Sequence, residues 1–140
     1  MADESNDGAM IDRLDHFVLK VRDIDASLQF YERALGMARE VFHDHGGVSR
    51  CALRFGRQKI NLHDDHTVAH PRARIPTPGS GDFCLIASVP LDAVMARLAR
   101  EQIAIEEGPV SRTGTLGPMR SIYFRDPDGN LVEVSEYLRG

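Results

Sequence analysis

His16, His63 and Glu133 each occupy the polar phase of a segment that alternates apolar and polar residues. In Leu14-Asp-His-Phe-Val-Leu-Lys-Val21, Phe17, Leu19 and Val21 share one face, and His16, Val18 and Lys20 share the other. From Gln58 to His63 the apolar phase is Ile60 and Leu62, which leaves Lys59, Asn61 and His63 opposite. From Asn130 to Tyr137 it is Val132 and Val134, which leaves Leu131, Glu133 and Ser135. A glutamate between valines on a half-buried strand is unfavourable to bury without a partner. Two imidazoles and one carboxylate on convergent strands, with other positions open, form the ligand set of a catalytic cation. With no thiolate in the set, iron(II), manganese, nickel, cobalt and zinc are all admissible. A second arrangement, the local His63-Asp-Asp-His66 run with His70, offers a structural zinc site in a loop.

The elements that would position these residues repeat. After the first strand, Asp23 or Asp25 can cap a helix in which Leu28, Tyr31 and Leu35 recur at i, i+3 and i+7, with Gly36 just past its end. Extended pieces follow near 39–43, 48–55 and 58–63, divided by Gly46-Gly47 and Gly56. Beyond a connection rich in Pro and Gly, Asp82 to Ala87 restarts the pattern, so that Asp82 corresponds to His16. Pro90 and Asp92 open a second helix with Leu91, Val94 and Leu98, and strands are expected near 103–107, 119–125 and 130–137. The order β-α-β-β-β thus occurs twice. One helix covers one face of each sheet, so the uncovered faces need partners. The expected fold is α+β, with paired βαβββ modules forming a mixed, barrel-like curved sheet around a central cleft. Module one spans about 12–66, a linker 67–81 and module two about 82–138, in a single domain over 12–140 behind a disordered tail at 1–11.

Composition narrows the classes. A formal charge of −4 and the lack of any basic run argue against nucleic acid as a partner. No stretch approaches the roughly 20 apolar residues of a bilayer span, and the first residues are acidic, so a soluble, cytoplasmic protein with no membrane partner is expected. Cys51 and Cys84 lack C-x-x-C spacing and read as small apolar residues.

Tyr123-Phe-Arg-Asp-Pro-Asp-Gly-Asn-Leu-Val-Glu-Val134, Leu14-Asp-His-Phe17 and Phe30-Tyr-Glu-Arg-Ala-Leu-Gly36 resemble the final turn and strand, the opening strand and the first helix of the vicinal oxygen chelate superfamily. That superfamily includes glyoxalases, bleomycin-resistance proteins and extradiol dioxygenases. Gln58-Lys-Ile-Asn-Leu-His63 and Pro78-Gly-Ser-Gly-Asp-Phe-Cys84 look similar to its small members of the glyoxalase domain-containing protein 5 kind. The resemblance implies a homodimer, a small-molecule substrate and metal ligands at His16, at Asn61 or His63, at Asp82 and at Glu133. Strict alignment of the two last strands places Asn61 opposite Glu133, and a slip of two residues keeps His63 facing the cleft. Asp82 is then a fourth ligand or orients one.

A cation there would act as Lewis acid and template for adjacent substrate oxygens. The set His16, His63 and Glu133 favours dioxygenase chemistry. The alternatives are a glyoxalase-like lyase or isomerase and a metal-free protein that binds a drug or metabolite. Tyr123 and His43 are candidate acid or base residues. Arg54 and Arg120, with Asn61 where it is not a ligand, are candidates to hold an acidic substrate group; Arg50 and Arg112 also lie on or beside strands.

Overall fold

The computed structural model describes residues 8–139. The expected tail therefore lies mostly outside the described residues, and 8–15 precede the first strand without regular structure. The elements are β1 (His16–Lys20), α1 (Ile24–Leu35), β2 (Ala38–His43), β3 (Ser49–Phe55), β4 (Gln58–His63), β5 (Asp82–Ile86), α2 (Leu91–Arg100), β6 (Glu107–Gly114), β7 (Gly117–Arg125) and β8 (Leu131–Tyr137). They form two four-stranded sheets ordered β1-β4-β3-β2 and β5-β8-β7-β6. In each, the first and last strands pair in parallel and the rest pair antiparallel. A parallel pair needs a crossover, which α1 and α2 provide.

Asp23 caps α1, its side chain accepting from the Ala26 amide at 3.2 Å, and Gly36 closes the helix at φ 69°. Arg97 of α2 reaches across to the exposed end of α1, donating to the carbonyls of Arg33 at 2.8 Å and Glu32 at 3.1 Å. A cation there satisfies acceptors that the helix cannot and complements its dipole. By contrast, α2 starts at Pro90 with no side-chain cap.

The apolar phases of the strands behave as the alternation requires. Ile60, Leu62, Val132 and Val134 are buried, and they join Leu28, Tyr31, Leu91, Val94 and Leu98 from the helices in one core shared by both modules. This sharing corrects the expected closure: the two sheets do not close into a barrel. Burial of the helix-covered faces against each other removes the larger apolar area from water, and the opposite faces stay open, with His16, Val18, Cys84 and Ile86 exposed.

A polar knot ties the modules together. The Tyr31 hydroxyl donates to Asp126 Oδ2 at 2.7 Å in the turn between β7 and β8. Asp126 also accepts from the Asp128 and Asn130 amides at 2.9 and 3.0 Å and from Asn130 Nδ2 at 2.8 Å. Asn130 Oδ1 in turn accepts the Gly81 amide at 2.7 Å, just before β5. Burial, with Asp126 beside it, pushes the Tyr31 hydroxyl far above the usual tyrosine range, so it stays a donor.

The strand expected near 103–107 is not formed. Ile103 and Ile105 pack half-buried against the core from an irregular segment, and β6 begins at Glu107 with a register shift before Val110. Gly108 has φ 114° there, a conformation that glycine reaches without steric cost.

Candidate functional site

The register of β1, β4, β3 and β2 sets the open face of the first sheet in rows. His16, Lys59 and Arg54 form one row; Val18, Asn61, Ala52 and Glu40 form the next; Lys20 with His63, and Arg50 with Phe42, form the third. The second sheet repeats this. Asp82 lies beside Leu131, Cys84 beside Glu133 and Tyr123, and Ile86 beside Ser135 and Ser121.

His16 and Asn61 are therefore diagonal neighbours, one row apart on adjacent strands, and Asp82 and Glu133 stand in the same relation on the second sheet. His63 does not join His16. It lies four residues along the paired strands, about 13 Å away at the usual rise per residue. Burial, then Arg50 and Lys20, hold the His63 imidazole below its ordinary range against the smaller opposing pull of Asp64.

Two other expectations are corrected by parity. His43 pairs with Ser49 and has the phase of Val41, opposite to Phe42, so it turns away from the open face. Arg120 pairs with Glu136 and shares the phase of Ile122 and Phe124; its guanidinium lies 3.6 Å from Asp92 and 3.9 Å from Glu136. Arg54 does stand on the open face, bonded to Glu40 at 2.6 Å.

Tyr123 lies beside Glu133 and accepts from Arg112 Nε at 2.8 Å. Burial and the Glu133 carboxylate raise its hydroxyl against the opposing pull of Arg112, so the phenol keeps its proton at neutral pH. Ser135 Oγ contacts Ser121 Oγ at 2.6 Å, Glu133 Oε2 at 3.2 Å and Cys84 Sγ at 3.2 Å. Ser121 was missed in the sequence, although Met119, Ser121 and Tyr123 alternate visibly with Ile122 and Phe124. Cys84, expected to behave as a small apolar residue, is exposed, and Cys51 is half-buried.

A groove of about 630 Å³ follows the seam between β1 and β5 under the 67–81 connection and includes His16, Lys20, His63 and Asp82. A shallower hollow of about 380 Å³ over the second sheet includes Arg112, Tyr123 and Glu133.

His16 Nδ1 bonds Asp15 Oδ2 at 2.8 Å, the outer-sphere carboxylate arrangement that orients a ligating imidazole and leaves Nε2 available. Asn61 Oδ1 is buried without a hydrogen-bond partner. In kind, these donors suit a divalent cation. Among the described residues, however, no three His, Cys, Asp or Glu side chains lie close enough to share one, and that holds for the His63, His66 and His70 run as well.

Across the first open face, Asp44 accepts from the amides of Val48 at 3.0 Å and Gly46 at 2.9 Å, and its other oxygen pairs with Arg50 at 3.0 Å. The Val48 amide first, then Gly46 and Arg50, hold the Asp44 carboxyl below the usual value of 3.8. A folded value below the unfolded one contributes stability above the usual aspartate range and loses it as pH falls through the folded value. The stability gap between wild type and Asp44→Asn is thus expected to narrow below about pH 4. Thermal unfolding followed by circular dichroism from pH 7 to 3 checks this; a gap independent of pH contradicts it.

The family model for the Glyoxalase/Bleomycin resistance protein/Dioxygenase superfamily matches residues 13–134. The virulence protein STM3117 of Salmonella typhimurium is 49% identical over 129 residues, covering 92% of this chain and 87% of that one. Its crystal structure superposes with a TM-score of 0.84 at 48% identity, covering 92% of this chain and 99% of that one. The glyoxalase domain-containing protein RDO1 of Mycosarcoma maydis is 45% identical over 124 residues, covering 89% of this chain and 68% of that one. Lactoylglutathione lyase from Agrobacterium tumefaciens has a TM-score of 0.65 at 28% identity, covering 91% of this chain and 95% of that one. With its two open-faced βαβββ sheets and a family match from the first strand to the last, the chain belongs to the glyoxalase, bleomycin-resistance protein and dioxygenase superfamily.

Proposed function

We propose that this protein is a divalent-metal-dependent enzyme acting on a small oxygen-rich metabolite, with His16, Asn61, Asp82 and Glu133 as the donors. The observation that carries this reading is the duplicated diagonal pair, His16 with Asn61 and Asp82 with Glu133, on the open faces of equivalent sheets. The buried, unbonded Asn61 Oδ1 adds to it, because an unpaired buried acceptor is costly unless something meets it. Because no three His, Cys, Asp or Glu side chains among the described residues lie close enough to share an ion, the site would be completed where open faces of two copies meet, as a homodimer permits.

A bound divalent cation would supply Lewis-acid stabilisation of adjacent substrate oxygens. Asp15 holds the His16 ring, Arg112 fixes the Tyr123 hydroxyl, and that hydroxyl retains a proton beside Glu133. A proton donor next to a carboxylate suits acid–base shuttling. With His63 in the row of Lys20, the two-histidine set that favoured dioxygenase chemistry loses its support. Glyoxalase-like lyase or isomerase chemistry is therefore favoured, and the Agrobacterium tumefaciens neighbour is named a lactoylglutathione lyase.

The test is metal stoichiometry after reconstitution with manganese, iron(II), cobalt, nickel or zinc. Wild type and His63→Ala are expected to take up about one ion per chain, whereas His16→Ala and Glu133→Ala lose affinity by about 100-fold or more. A wild type that binds no cation stoichiometrically overturns the reading.

A further inference from the structure

The first open face holds a lysine in an unusual resting place. Lys59 starts in the row of His16 on β4, yet its ammonium lies 3.6 Å from the centre of the Phe42 ring, two rows along and two strands away on β2. The line between them crosses Ala52 on β3, which is fully buried. Asn61, next to Ala52 in the middle row, has its Oδ1 buried without a partner. A lysine head group normally seeks water, but the Lys59 side chain is only 18% exposed. Glu40, its carboxylate contact at 3.8 Å, is already bonded by Arg54 at 2.6 Å. Lys59 is thus a strap across the middle row, held by an aromatic face and a carboxylate that has another partner.

The surrounding charge says what could draw it off. Lys20, Arg50, Arg54 and Lys59 share this face; Asp65 at 3.6 Å, Asp44 at 3.0 Å and Glu40 at 2.6 Å pair with the first three, which leaves Lys59 with a 3.8 Å contact to the already paired Glu40. The uncharged stretch Val18, Asn61 and Ala52 of the middle row, which ends at Glu40 on β2, is the trough that Lys59 crosses, and an oxyanion there would meet Lys59 by charge-assisted hydrogen bonds. A full ion pair with a desolvated anion is stronger than a cation–π contact.

We infer that this trough binds the carboxylate or phosphate group of the metabolite, and that Lys59 leaves Phe42 to meet it, uncovering Asn61. The inference rests on the proposed function for the identity of the site, since Asn61 is one of its donors. The consequence is a ligand-dependent exposure: the cation that grips the anion is the group that covers the donor until the anion arrives.

Isothermal titration of the full chain with inorganic phosphate and with malonate, both metal-free and manganese-loaded, tests it. Wild type is expected to bind at least one probe, and which one separates phosphate from carboxylate. Lys59→Met weakens that binding by about 10-fold or more, and Lys59→Arg restores most of it. Phe42→Leu removes the competing resting place and tightens binding by about 3- to 5-fold, an effect that loss of folding cannot imitate. Wild type that binds neither probe, Lys59→Met that binds as wild type, or Phe42→Leu that weakens binding each overturns the inference. Lys59-dependent anion binding by a chain that takes up no metal sustains the strap and overturns the metal reading alone. Metal uptake with Lys59-independent anion binding does the reverse.

Discussion

Replacing Asp126 with alanine is expected to lower stability by roughly 3–5 kcal/mol, among the larger effects that one substitution can have. The carboxylate receives the Tyr31 hydroxyl, two backbone amides and the Asn130 side-chain amide inside the protein. Its removal leaves those donors buried and unpaired, and a lost partner costs more than the net worth of the bond it made. For a domain of this size the midpoint of thermal unfolding should fall by roughly 10–20 °C. Tyr31→Phe is the informative comparison. It removes one donor while Asp126 keeps the other three, so it should cost only about 1–2 kcal/mol. Urea unfolding monitored by circular dichroism measures both, and an Asp126→Ala variant no less stable than Tyr31→Phe contradicts the argument.

Gly108→Ala should also destabilise strongly, by roughly 2–4 kcal/mol, for a different reason. A β-carbon at Gly108 would sit 2.4 Å from the Ser121 carbonyl oxygen and 2.9 Å from the Ile122 α-carbon, both backbone atoms of β7. The residue also has φ 114°, where a side chain is strained regardless of space. Relief requires β6 to lift from β7, and β6 carries Arg112, which fixes Tyr123. Gly47→Ala separates the two causes. It has φ 80° with nothing within 4 Å, so it should cost only about 1 kcal/mol of conformational strain. Amide exchange along β6 should rise in Gly108→Ala and not in Gly47→Ala. Equal stabilities for the two variants would remove the steric part of the account.

Local pattern carried far in this chain. The phases of β1, β4 and β8, the Asp23 cap and the Gly36 terminus all follow from residue spacing, because each depends on neighbours a few positions away. Which faces meet does not follow. Parity places His16 and Glu133 on uncovered faces, but nothing local says that the covered faces would share one core and leave the others open. His63 shows the same limit more finely. A slip of two residues preserves its face, and only the pairing of Lys20 with His63 reveals that it lies in a different row from His16. The phase of Arg120 is legible: Ser121 and Tyr123 alternate with Ile122 and Phe124, which puts Arg120 on the covered side and not on the face expected to hold substrate. The segment near 103–107 has strand-like residues, but the register shift before Val110 moves pairing onward. The Lys59 resting place had no signal at all, since it joins two strands that are not neighbours.

The knot at Asp126 bears on what the internal repeat means. A phenol from the first half finds its acceptor in the second, and the Arg22 amide and guanidinium of the first half donate to Asp128 of the second at 3.0 and 3.2 Å. Neither half, excised, would satisfy its own interior. The two βαβββ units are copies in pattern without being separable folding units, so heat or denaturant should dismantle them in one cooperative event, and recombination that swaps one unit for a relative's must carry the matching partner residues with it.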